Sequence, residues 1–166
     1  MKLRLLGLCA AALVFAADQA GKAAMLGFFA NAEAGAVTLN SWLELTLAWN
    51  PGVSYSLFSA HSQAGRLALL GFTALAVMAL ALWLWRAQSL VSAVALGALI
   101  GGALGNALDR ARFGAVADFI HFHIGAFSPF GVFNIADMAI FAGVALLLYD
   151  TVFPAAQSGG SATKTP

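Results

Sequence analysis

Residues 67–85, LALLGFTALAVMALALWLW, contain no charged side chain. Coiled as a helix rising about 1.5 Å per residue, such a run crosses a hydrocarbon core about 30 Å thick. Three further apolar segments follow the same rule. They cover residues 5–29 (broken by Asp18, Gln19 and Lys22), 90–108 and 130–149. Hydrophobic residues make up 61% of the chain and charged residues 9%. A soluble domain of this length has no way to bury that much apolar surface, whereas a bilayer requires no burial. The sequence therefore predicts an α-helical integral membrane protein with four transmembrane helices. The net charge is +1 with no basic run, so nothing points to nucleic acid.

The N-terminus, MKLRLLGLCAAALVFAA, has the charge and apolar pattern of a secretory signal peptide. Apolar character resumes after Lys22, so an uncleaved first span is the expectation. Cys9, the single cysteine, allows no internal disulfide and reads as a packing residue. Between the first two spans lies a stretch too polar for another crossing. Within it WLELTLAWN, residues 42–50, alternates apolar and polar, the period of a strand with one wet face. Asn50-Pro51-Gly52 supplies turn chemistry, and VSYSLF, residues 53–58, reads as a returning strand. A small β-rich platform over residues 31–64 is expected, lying on the membrane. Trp42 and Trp49 suit the headgroup layer. One domain over 1–153 and a disordered polar tail over 154–166 complete the expected organisation.

Four crossings place both termini on one side and the two long connections on the other. That other side collects the scarce polar residues. Asp18 and Lys22 lie near the end of the first span. Asn50 and Gly52 lie in the platform. Asn106, Asp109 and Arg110 end the third span, Asp118 follows in the next connection, and Asn134 and Asp137 open the fourth span. The opposite side receives a tight connection, Arg86-Ala87-Gln88-Ser89, and the two tails. Counting Lys and Arg does not orient the chain. Lys2, Arg4, Arg86 and Lys164 on the tail side balance Lys22, Arg66, Arg110 and Arg112 on the other.

Asp118 and Asp137 are the candidates for chemistry. On a helix starting near residue 132, Asp137 would lie about 8 Å below the edge of the apolar layer, where an ionisable group must be paired, hydrated or protonated. Two carboxyls at close range share a proton, and such a pair can hydrolyse a peptide bond. The alternative for Asp137 is capping, because Asn134 and Asp137 have cap and N3 spacing. Asp118 has a loop-capping alternative. Asp18 and Lys22 are spaced i, i+4 and read as an ion pair in the headgroup region. GGALG, residues 101–105, reads as a close helix-packing surface. His121 and His123 form an HxH that reads as loop decoration, and no HExxH zinc motif is present. Ser54 and Ser56 lack a base nearby in sequence. No metal or cofactor is called for. A small proton-coupled transporter is the competing reading, since intramembrane acids are typical of those too. A membrane scaffold would leave the polar cluster unexplained.

Five motifs, DQAGK (18–22), NPG (50–52), GNALDR (105–110), VADFI (116–120) and FNIAD (133–137), resemble in order and spacing those of lipoprotein signal peptidase, or signal peptidase II, a bacterial membrane aspartic protease family. The resemblance covers Asp18 to about Tyr149. It implies Asp118 and Asp137 as catalytic aspartates. It implies supporting roles for Asp18, Lys22, Asn50, Gly52, Asn106, Asp109, Arg110, Asn134 and Ala136. It implies an inner-membrane enzyme with both termini cytoplasmic and an extracytoplasmic platform and dyad. The implied partners are membrane lipids and prolipoproteins whose cysteine carries a diacylglyceryl group, cut just before that cysteine by a monomeric enzyme. One departure is visible. Val53-Ser54-Tyr55 stands where many members carry two alanines and a phenylalanine.

Overall fold

The computed structural model describes residues 1–32, 35–52 and 63–153. Four helices are long and apolar enough to cross a membrane: α1 (Lys2–Asn31), α2 (Gln63–Trp85), α3 (Leu90–Phe113) and α4 (Ile135–Val152). Among the described residues, four strands lie in the two long connections. β1 (Ala36–Asn40) and β2 (Leu43–Asn50) follow α1, while β3 (Val116–Phe122) and β4 (Val132–Phe133) lie between α3 and α4. They form one antiparallel sheet in the order β1-β2-β3-β4. The proposed strand at 53–58 and the tail at 154–166 fall outside the described residues.

The centre of the bundle is α3, which packs against all three other helices. Lipid tails are as apolar as leucine, so close packing rather than exclusion from water must hold the helices together. The residues of α3 suit that task. A Cβ on Gly97 or Gly101 would collide with the carbonyl oxygens of Gly7 and Ala11 on α1. One on Gly102 would come within 2.7 Å of the Ala136 carbonyl on α4. Two small-residue faces of one helix thus bring two backbones into contact. The large side chains point the other way, with Phe72, Leu75 and Leu82 of α2 and Phe141 and Leu148 of α4 all exposed where lipid belongs. Cys9 is exposed as well, so it is a surface residue of α1 and not a packing one.

The structure corrects the sequence reading elsewhere too. Half of the sheet comes from the second long connection, not from residues 31–64 alone. VADFIHF escaped notice because Val116, Ala117, Asp118 and Phe119 are all buried, and a strand covered on both faces shows no polar alternation. The fourth helix begins at Ile135, not 130, because Gly131 takes a left-handed backbone (φ 62°) and the Asn134 side chain caps the helix. Asp137 therefore lies in the first turn of α4, at the N3 position of the cap. The far end is also less plain than expected. There the Asp150 carboxylate accepts hydrogen bonds from the hydroxyls of Ser89 and Ser92, tying the α2–α3 connection to the end of α4.

Candidate active site

At the sheet end of the bundle, Asp18 and Lys22 form the ion pair their spacing predicts, at 2.8 Å. Both side chains are almost wholly buried, because Lys22 has three partners. Its ammonium also meets Asp109 Oδ2 at 2.9 Å and Asn106 Oδ1 at 3.0 Å. An ammonium has three donors, and all three are used. The two acids reach onward. Asp18 Oδ1 accepts the Ala136 N–H at 2.9 Å, one of the first-turn donors of α4 with no partner in the helix. Asp109 Oδ2 accepts the Ala117 N–H of β3 at 3.1 Å. Gln19, which reads from sequence only as an interruption, donates to Asp18 Oδ2 (3.1 Å), Asp109 Oδ1 (3.3 Å) and the Gly105 carbonyl (3.3 Å). Gly105 has to be glycine here, since a Cβ would strike the Asp18 carboxylate. One lysine thus joins α1 to α3, and its acids join both to α4 and β3.

Lys22 also fixes which way two amides point. An ammonium cannot accept a hydrogen bond, so Asn106 must turn its oxygen toward Lys22. Its Nδ2 then donates to Asp137 Oδ1 at 2.8 Å. Asn134 caps α4, its Oδ1 accepting the Asp137 N–H at 3.0 Å while its own N–H donates to Asp137 Oδ2 at 3.2 Å. This is a capping box. The Nδ2 of Asn134 is left to donate to Asp118 Oδ1 at 2.6 Å and Asn106 Oδ1 at 3.1 Å. The two readings of Asp137 are therefore not exclusive. One oxygen serves the cap and the other faces Asn106.

Asp118 lies on β3, not in a loop, and is 1% exposed. Asn50, at the end of β2, hydrogen-bonds its side chain. The Gly52 N–H donates to Asn50 Oδ1 at 3.0 Å, which leaves the Asn50 amide nitrogen for Asp118. Gly52 makes that turn with φ 111°, a backbone that side-chain-bearing residues rarely adopt. Burial pushes the Asp118 carboxyl up to about 6 from the usual 3.8, and the charge of Asp137 adds to the rise. Hydrogen bonds from Asn50 and Asn134 and the charge of Lys22 oppose it. Arg110 lies within electrostatic reach of Asp137, Asp118 and Asp109. Its buried Nε finds no partner among the described residues. Asp137 opens into a cleft of about 460 Å³ lined also by Asn50, Phe130, Val132, Phe133, Met138 and Phe141. Met138 and Phe141 are exposed on the lipid-facing surface of α4. All eleven residues singled out from the sequence gather at this end.

The family model described as signal peptidase (SPase) II matches residues 10–153. The chain belongs to the signal peptidase II family. It is 52% identical over 159 residues to the lipoprotein signal peptidase of Methylocella silvestris, covering 96% of this chain and 92% of that one. It is 50% identical over 150 residues to that of Beijerinckia indica, covering 90% and 89%. Among solved structures it resembles a bacterial membrane enzyme determined by the in meso method at 1.9 Å, with TM-score 0.73 and 25% identity over 90% of this chain and 94% of the other. A second in meso structure, at 2.3 Å, gives TM-score 0.71 and 28% identity over 91% and 92%. The chain is therefore a multi-pass bacterial membrane protease, and the transporter reading finds no support. The apolar lining of the cleft could not have been picked out beforehand, because in a chain so rich in Phe and Met nothing distinguishes a cleft residue from a lipid-facing one.

The raised Asp118 value sets a sign for stability. The folded state binds the Asp118 proton more tightly than the unfolded state does. Stability from this group is thus full below about pH 4, falls as pH climbs from about 4 to about 6, and stays lost above. Asp118→Asn removes the titration. The difference in thermal midpoint, variant minus parent, is expected to grow more positive from pH 4 to pH 7. A difference that is flat with pH would count against a buried, proton-retaining Asp118.

Proposed function

We propose that Asp118 and Asp137 form the catalytic dyad of an aspartic endopeptidase that removes the signal peptide from diacylglyceryl-modified prolipoproteins, cutting just before the lipidated cysteine. The observation that carries this reading is the bridge Asp118–Asn134–Asn106–Asp137. It holds two carboxyls at one site with fixed amide donors, one of them facing an apolar cleft. Peptide hydrolysis needs one carboxyl with a proton and one without. Burial favours the proton on Asp118, which donates it to the scissile carbonyl oxygen. Asp137 takes a proton from a water held between the two acids as that water attacks. Asp137 then passes that proton to the leaving nitrogen, while Asp118 takes one back from a hydroxyl of the collapsing tetrahedral intermediate, which restores the starting state.

The cleft fits the substrate class. Asn50 and Asp137 supply polar groups for the peptide, and five apolar side chains supply a wall for acyl chains. Met138 and Phe141 extend that wall to the lipid surface, so a substrate can enter sideways with its chains still in the bilayer. Asp18, Lys22, Asn50, Gly52, Asn106, Asp109, Arg110, Asn134 and Ala136 support the dyad by position. Residues 1–153 act as one domain, with the 31–64 platform outside the membrane. Both termini are cytoplasmic, the dyad lies near the outer face, and the enzyme works as a monomer.

The test uses purified peptidase in detergent with one prolipoprotein in two forms, with and without its diacylglyceryl group. Release of signal peptide from the lipidated form only is the expected result. Equal cleavage of both forms would remove the role given to the apolar wall.

A further inference from the structure

From the cross-strand cluster Glu44, His121 and His123 we infer a binding site for a divalent transition cation of the zinc class, separate from the carboxyl pair. Glu44 on β2 and His121 on β3 stand directly opposite in the antiparallel register. His123 lies two residues further along, and its N–H donates to the Trp42 carbonyl at 3.0 Å, so pairing continues past the end of β3. Side chains alternate along a strand, which puts His121 and His123 on one face and Asp118 on the other. One ligand atom from each of the three residues falls within 4.8 Å of the others, and all three side chains are half-buried.

The hydrogen bonds around the rings prepare them for a cation. His123 Nδ1 lies 3.3 Å from the Gly125 carbonyl oxygen, which only accepts, so Nδ1 carries the hydrogen and Nε2 keeps its lone pair. The Ser128 hydroxyl donates to the Phe122 carbonyl at 3.4 Å, so its oxygen accepts from His121 Nε2–H at 3.0 Å. That arrangement turns the lone pair of His121 Nδ1 toward Glu44 Oε2, 3.1 Å away. Two lone pairs at that separation need a proton or a metal ion between them. Histidines that ligate metals characteristically donate their other N–H to a carbonyl or similar acceptor, as both do here. With bonds of about 2.0–2.1 Å to zinc, tetrahedral ligand atoms lie about 3.3 Å apart, close to the Nδ1 to Oε2 spacing already present. A swing of the half-buried His123 ring closes the rest, and the fourth position opens to solvent. Imidazole and carboxylate together favour zinc-like cations over magnesium.

The experiment uses the full chain, purified without a histidine tag in detergent and titrated calorimetrically with zinc chloride, then with magnesium chloride. One saturable zinc per chain and no magnesium binding are expected. His123→Ala and Glu44→Gln are each expected to weaken zinc binding by about tenfold or more, whereas Cys9→Ser, on the exposed surface of α1, leaves it unchanged. Zinc should raise the thermal midpoint of the parent and not that of the two site variants, whose metal-free midpoints report whether they fold. Absence of saturable zinc binding in the parent, or affinity retained in either site variant, overturns the site. Signal-peptide release by the same samples is scored separately, so a failed metal site and a failed dyad assignment remain distinguishable.

Discussion

Asp118→Asn and Asp137→Asn each lower signal-peptide release by on the order of 10³-fold or more, because each removes one half of the proton transfer. The two variants should differ in everything except that loss. Asparagine at 118 can still accept from the buried Asn134 Nδ2 through its own oxygen, and its other donor, Asn50, belongs to an exposed residue that can turn to water. Above pH 6 the variant also escapes the cost of a buried charge. Asparagine at 137 cannot serve both donors that now meet the two carboxylate oxygens, Asn106 Nδ2 and the Asn134 N–H. One of them would face an amide NH2, costing about 1–3 kcal/mol for an unsatisfied buried donor. Purified Asp137→Asn is therefore expected to be inactive and less stable, and Asp118→Asn inactive and at least as stable near neutral pH. Cleavage within tenfold of the parent by either variant would reject the dyad.

The second large effect is expected at Lys22. Lys22→Met keeps a similar length of apolar stem but leaves Asp18 and Asp109 buried with no cation between them. Breaking a buried pair by removing one partner costs about 3–5 kcal/mol. For a chain of this size each kcal/mol shifts the thermal midpoint by about 2–4 °C, so a drop on the order of 10 °C is expected. Activity should fall further than stability alone explains. Without the ammonium, Asn106 is free to turn its amide and present oxygen to Asp137 in place of nitrogen. Adding Asp109→Asn to Lys22→Met removes one of the stranded charges and should restore part of the midpoint but not the cleavage. A Lys22→Met protein as stable as the parent would mean that the cluster does not hold α1, α3, α4 and β3 together.

The membrane class, the four spans and the side on which the polar residues gather were legible in the linear pattern. Each depends on a local property: an apolar run long enough for the bilayer, and the cost of placing Asp118, Asp137 or Lys22 anywhere else. The alternation of residues 42–50 announced β2, although the folded strand has no wet face, residues 43–48 all being half-buried. The family could be recognised from motifs such as GNALDR and FNIAD, and their members all arrive at one end of the bundle.

What lay beyond the linear pattern is a matter of long-range pairing. β3 carries no period because it is covered on both sides. The i, i+4 spacing of Asp18 and Lys22 gave an ion pair but could not say that Asp109 and Asn106, more than eighty residues away, would complete the lysine's shell and draw it into the interior. Asn134 and Asp137 carried the signature of a cap, and only their neighbours across α3 and β3 added a second use for the same atoms. Glu44 joined two histidines because the register of β2 against β3 put them opposite one another. A chain of apolar runs states where its segments must lie, since each segment meets the bilayer alone. Which polar groups satisfy one another is decided when the segments pack, because every buried donor and acceptor then has to find its partner on a different one.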